Sequence, residues 1–120
     1  MVSEYGYITV AELENYAGLD YSTDKSSTYT DAVIEAVISQ AERMVNAYTG
    51  QSYSGTISDA VKYASMDVAF KTMHNRIISD GIFDRDNPPK RYDVLLTDEM
   101  KAILSKTEAF YALSYTRSDE

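Results

Sequence analysis

From Ile34 to Tyr48 the apolar residues of this chain recur every three or four positions: Ile34, Val37, Ile38, Ala41, Met44, Val45 and Tyr48. That period matches one stripe of an α-helix and not a strand, whose faces alternate every two residues. The stretch runs from about Asp31 to Thr49 and ends at Gly50, the residue type that most readily takes the left-handed conformation at a helix stop. Asp31 and Glu35 stand near its start, where the helix dipole favours anions. One such stripe has to be buried against other elements, and the rest of the chain reads as their source.

Three further segments read as helix. Thr9 is a good N-cap, and Glu12 at the third helical position completes a capping box. Val10, Leu13 and Tyr16 or Ala17 then share a face, and Gly18 stops the segment. Residues 19–30 are polar and rich in turn formers, as in a surface loop. After the short connection 51–55, expected between antiparallel helices, a third helix starts near Thr56 or Ser58 and runs to about Ser79, with Gly81 as its stop. Ile57, Val61, Ala64, Val68 and Met73 lie on one side of it. Met66, Phe70, Ile77 and Ile78 widen that side, so this helix should meet neighbours on more than one flank. Asp67 and Lys71 stand one turn apart in the favourable order. Residues 80–94 form a long link in which Pro88-Pro89 forbids helix and seven of fifteen residues are charged. Thr97 then caps a fourth helix, with Asp98 and Glu99 in its first turn and Met100, Ile103, Leu104, Thr107 and Phe110 or Tyr111 facing inward. No stop signal follows in the tail through Leu113 to Glu120. The expected fold is all-α, one domain over 1–120: a bundle of about four helices with a long loop before the last and an extended C-terminal tail.

The chain has 120 residues, 44% of them hydrophobic and 25% charged, enough for one core and an ordinary surface. It has no cysteine, so disulfides and thiolate metal sites are impossible. The opening Met1-Val-Ser-Glu-Tyr-Gly lacks the basic start and apolar run of a signal peptide, and no apolar stretch approaches the roughly 18 residues of a membrane span. A net charge of −8 disfavours nucleic-acid binding as the main task, because that affinity rests on phosphate neutralisation by Lys and Arg. Eleven tyrosines without a tryptophan favour contact surfaces, since tyrosine combines an apolar face with a polar tip. Tyr5, Tyr7, Tyr21, Tyr29, Tyr53, Tyr92 and Tyr115 fall in loops and at the chain ends. Some are expected to pack on the core, but so many exceed what four short helices need, and subunit contacts are expected among them.

Catalysis finds little purchase. His74 is the only histidine and reads as a polar surface residue among Lys71, Asn75 and Arg76. No phosphate-binding glycine loop or nucleophile elbow occurs. Asp84-Arg-Asp86-Asn87 opens like a calcium loop, but Pro89 stands where glycine is needed and Leu95 where the closing glutamate belongs. The carboxylate pairs Glu12/Glu14 and Asp98/Glu99 sit at helix starts, which the dipole explains. No enzymatic activity, cofactor or metal site is expected.

Tyr7-Ile-Thr-Val-Ala-Glu-Leu13, in which Ile-Thr leads into a capped first helix, resembles the opening of the head–tail connector, or adaptor, proteins of tailed bacteriophages. Ala41-Glu-Arg-Met-Val-Asn-Ala-Tyr-Thr-Gly50 resembles the end of that family's second helix, with Tyr53 as the aromatic that follows. Ile57-Ser-Asp-Ala-Val-Lys-Tyr-Ala64 and the polar pair Asn75-Arg76 resemble its third helix, and Val94-Leu-Leu-Thr97 the approach to its last. Residues 80–93 and the tail after Leu113 have no counterpart in the pattern. The resemblance implies a structural virion protein of the neck, in the host cytoplasm before assembly. It implies a homo-oligomeric, dodecameric ring beneath the portal protein that extends the DNA channel and docks a stopper or tail-completion protein. DNA would pass without sequence-specific binding; twelve chains would carry about −96, which repels phosphates. Thr9, Glu12, Tyr48 and Gly50 would be its structural positions. Because the last helix keeps its apolar pattern without a stop, Phe110, Tyr111, Leu113, Tyr115 and Arg117 are the expected portal contacts. Phe83, Arg85, Lys90, Arg91 and Tyr92 in the charged link are the expected ring or neck contacts, in a segment 82–93 expected to be mobile in isolation. The same acidity also fits a DNA mimic that occupies the basic cleft of another protein.

Overall fold

The computed structural model describes residues 5–18, 21, 29–81, 86 and 89–105. They form four helices and no strand: α1 (Val10–Ala17), α2 (Asp31–Thr49), α3 (Asp59–Ser79) and α4, helical over 98–105.

Each helix starts where a short polar side chain can satisfy its free amides. The Thr9 hydroxyl accepts from the Glu12 amide at 3.1 Å, and the Glu12 carboxylate accepts from the Thr9 amide at 2.9 Å, a complete capping box. The Thr30, Ser58 and Thr97 hydroxyls cap α2, α3 and α4 by accepting the amides of Val33, Val61 and Met100. Gly50 closes α2 at φ +76°, donating its amide to the Asn46 carbonyl at 2.8 Å. α3 is capped one residue earlier than expected, by Asp80 in right-handed geometry, with Gly81 following at φ +77°.

α2 and α3 pack as an antiparallel pair, each also touching α1. Ile34, Val37, Ile38, Ala41 and Val45 of α2 meet Val61, Ala64, Val68, Ala69, Met73 and Ile77 of α3 in one core cluster. Leu13 of α1 and Leu96, Met100 and Leu104 around α4 complete it. α3, about 32 Å long at 1.5 Å per residue, has buried residues on more than one side, as its broad apolar pattern requires.

The structure corrects the α2 stripe. Met44 and Tyr48 are 37% and 41% exposed, whereas Glu42 is fully buried. Asp31 lies exposed in the first turn, but Glu35 is buried. The loop tyrosines divide between core and surface. Tyr7, Tyr21 and Tyr29 are buried in the core and cannot serve as subunit contacts. Tyr21 and Tyr29 join the span between α1 and α2 to that core, and the Tyr29 amide donates to the Tyr21 carbonyl at 3.4 Å. An aromatic ring in a polar segment is heavily stabilised by such burial, which local polarity does not reveal.

Candidate functional site

Two constellations bring distant residues together. The first joins the start of the chain to the end of α2. The Glu42 carboxylate accepts the amides of Tyr5 (3.3 Å), Tyr7 (2.8 Å) and Ile8 (3.4 Å). The Tyr7 hydroxyl donates to Asn46 Oδ1 at 2.8 Å and accepts from the Tyr53 amide at 2.8 Å. The Tyr7 ring stacks on Tyr5 (5.6 Å between centroids) and meets Tyr53 edge-on (5.8 Å). Thr49 turns its hydroxyl back to the Val45 carbonyl at 3.0 Å. The segment entering α1 is thus held by a charged acceptor in a dry setting, where hydrogen bonds to an ionised group are strongest. Spacing hints at Glu42, which sits four residues after Ile38 and three before Val45, beside the apolar stripe. Its partners, 34 to 37 residues away, leave no local trace.

The second constellation is a track of rings along α3. Tyr63 meets Tyr16 (5.9 Å), Tyr16 meets Phe70 (6.0 Å), and Phe70 meets Tyr92 (6.3 Å). His74 closes the end, 4.9 Å from the Tyr92 ring. Beneath the rings, Asp67 accepts the Tyr16 hydroxyl at 3.0 Å and pairs with Lys71 at 2.7 Å, both of these charged side chains largely covered. Lys71 Nζ also lies 5.5 Å from the centre of the Tyr92 ring. Burial, then the hydrogen bond to Asp67, hold the Tyr16 phenol well above its ordinary range.

Of the expected loop contacts, Lys90, Arg91 and Tyr92 are described and lie on this track's end. Asn75 acts as a surrogate strand: its Nδ2 donates to the Tyr92 carbonyl at 2.9 Å and its Oδ1 accepts the Tyr92 amide at 2.8 Å. His74 Nε2 lies 2.8 Å from the Lys90 carbonyl oxygen, which can only accept, so this nitrogen carries the proton. Arg91 donates to the Ser79 hydroxyl. The expectation of a mobile link is therefore corrected for 90–92, which is tied to α3 by four hydrogen bonds. His74 is corrected as well: it is a half-buried docking point and not a free surface residue. Phe83, Arg85, Phe110, Tyr111, Leu113, Tyr115 and Arg117 lie outside the described residues, as do Asp84, Asn87 and Tyr115's neighbours in the tail.

Tyr48 is exposed yet engaged: its hydroxyl lies 3.0 Å from Ser105 Oγ, and Lys101 Nζ is 5.7 Å from its ring. Among the described residues no group of three or more His, Asp or Glu side chains is placed to hold a metal ion. No described helix is long and apolar enough to cross a membrane. No family model, curated protein or solved structure matches this chain.

Proposed function

We propose that this protein is a head–tail connector: a non-enzymatic subunit that forms a ring under a phage portal, extends the DNA channel and docks the next neck or tail protein. The observation that carries the reading is the union of its two motif segments. Tyr7 and Ile8, from the opening motif, are tied to Glu42, Asn46 and Tyr53, from the motif that closes the second helix. The residues behind the resemblance therefore act as one structural unit. The role also requires sticky flanks on an acidic body. Tyr5, Tyr16, Tyr48, Tyr63 and Tyr92 are all more than a third exposed on a chain of net charge −8.

The C-terminal segment from about Phe110 is the portal-binding element in this reading, with Arg117 as a directional donor to a partner carboxylate. The test is attachment to portal-bearing heads that lack their connector. Full-length protein should fill the portal vertex. Deleting residues 110–120 should abolish attachment while circular dichroism keeps most of the helical signal. A full-length protein that never binds such heads would overturn the connector reading. A truncated protein that still binds would move the docking surface to the 80–94 link.

A further inference from the structure

Tyr16 on α1 and Tyr63 on α3 meet edge-on, with ring centroids 5.9 Å apart and planes at 67°. Each ring is more than a third exposed, so a reagent in solution reaches both. The Tyr16 hydroxyl donates at 3.0 Å to Asp67, a largely covered carboxylate held in place by Lys71 at 2.7 Å. A phenol gives up an electron far more readily when its proton leaves with it, because otherwise a cation is left on a part-buried ring. A carboxylate already within hydrogen-bond reach supplies that exit.

Other tyrosines lack one part or another of this arrangement. The pairs Tyr5–Tyr7 and Tyr7–Tyr53 also touch, but both depend on Tyr7. That residue is buried, and its hydroxyl donates to the Asn46 amide oxygen, an acceptor that cannot keep a proton at neutral pH. Tyr29 does donate to a carboxylate, Asp80. Yet Tyr29 is buried, and the Arg76 guanidinium over its ring opposes the loss of an electron.

We propose that Tyr16 and Tyr63 form an oxidative modification site, at which a one-electron oxidant of the peroxidase type joins them as dityrosine. One electron passes from Tyr16 to the oxidant, and its phenolic proton goes to Asp67. A second oxidising equivalent takes an electron from Tyr63, whose phenolic proton goes to water. The two phenoxyl radicals couple through the carbons ortho to their oxygens, forming one carbon–carbon bond. The hydrogens on those carbons then move to the oxygens as each ring regains its aromaticity. The net loss is two electrons to the oxidant and two protons to Asp67 and water. The product fastens α1 to α3 in a chain that has no cysteine for a disulfide. Closing that loop restricts the unfolded chain and so stabilises the fold.

The test illuminates full-length protein briefly with a ruthenium tris-bipyridine photosensitiser and persulfate. Peptide mapping by mass spectrometry should find Tyr16–Tyr63 as the main cross-link, within monomers, and dityrosine fluorescence should grow with it. The urea midpoint of the cross-linked fraction should rise. Tyr63→Phe keeps the ring but should remove this link and most of the fluorescence. Asp67→Asn keeps an acceptor oxygen but no base, so the initial rate should fall by about tenfold or more. The wild-type rate should be flat across neutral pH, whereas a phenol that loses its proton to solvent reacts faster as pH rises. Circular dichroism checks each fold. Links dominated by 5–7, by 7–53 or by pairs between molecules overturn the proposal, as does fluorescence that survives Tyr63→Phe. A folded Asp67→Asn protein that reacts at the wild-type rate overturns the part given to Asp67. A wild-type rate that climbs through neutral pH does the same, whether or not that variant folds.

Discussion

Glu42 is the residue that ties the segment 5–8 to α2. Its carboxylate serves three backbone amides at once and sees no solvent. Glu42→Ala leaves those donors buried and unpaired, so it should destabilise the protein by about 3 kcal/mol, with Glu42→Gln costing about half as much. Urea unfolding measures both, and amide exchange at Tyr7 and Ile8 should accelerate first. An unchanged midpoint would mean that the segment is held by its rings alone. Tyr29 supplies a pH-dependent contribution. Its hydroxyl donates to Asp80 at 2.6 Å, and burial followed by that carboxylate pushes the phenol up to about 12 from 10.0. A folded-state pKa above the unfolded one gives stability that is complete below pH 10 and is lost as pH rises through about 12. Tyr21, raised by burial and the Glu14 charge, and Tyr16 add to the same alkaline loss. Tyr29→Phe should therefore lower stability at neutral pH by about 1 kcal/mol through the lost hydrogen bond, yet flatten the fall in melting temperature above pH 10. Parallel melting curves for the two proteins across that window would contradict the assignment.

At the level of elements, α3 organises the molecule because three partners use different sides of it. Its Val61–Ala64–Val68 side packs in the core with α2. Its Asp67 binds Tyr16 of α1, and its C-terminal end holds the extended segment 90–92. That last attachment is polar: Lys90, Arg91, Tyr92, Asp93 and Val94 are all exposed, and the first fully packed residue is Leu96. Asn75→Ala removes both main-chain bonds to Tyr92 without opening the core. Exchange of the Tyr92 amide should rise by at least about tenfold, which corresponds to 1.4 kcal/mol, while α2 amides stay protected. Equal protection of Tyr92 in both proteins would show that ring packing on Phe70 and His74 suffices.

For the whole molecule, charge decides what the surface can adhere to. A chain at −8 with Lys62, Lys71 and Lys101 engaged at Glu12, Asp67 and the Tyr48 ring presents few free cations to a phosphate backbone. Purified protein should not retard duplex DNA in a gel at about 0.1 M salt, where exposed charges are screened beyond about 10 Å. Retardation that falls steeply with salt would point to a direct DNA-binding role instead. Tyr5, Tyr16, Tyr48, Tyr63 and Tyr92, each more than a third exposed, are the rings that the proposed function assigns to protein neighbours.

Helix positions and stops were legible because their causes are local. The Thr9–Glu12 box, the Thr97 cap and the Gly50 stop each depend on residues within one turn, and α2 occupies 31–49 as its periodicity requires. Periodicity was less reliable about which edge of a stripe is buried. Met44 and Tyr48 fit the apolar period, but the neighbour available on their flank leaves them open, while the N-terminal segment covers Glu42 on the other. The buried Tyr21 and Tyr29, the Asn75 clamp and the wedged His74 were likewise invisible beforehand. Each depends on a partner many residues away, 51 for Tyr29 and Asp80 and 17 for Asn75 and Tyr92. A polar side chain carries no mark of whether it will meet water or a backbone donor. That is settled when the helices pack, because burial without a partner is too costly to persist.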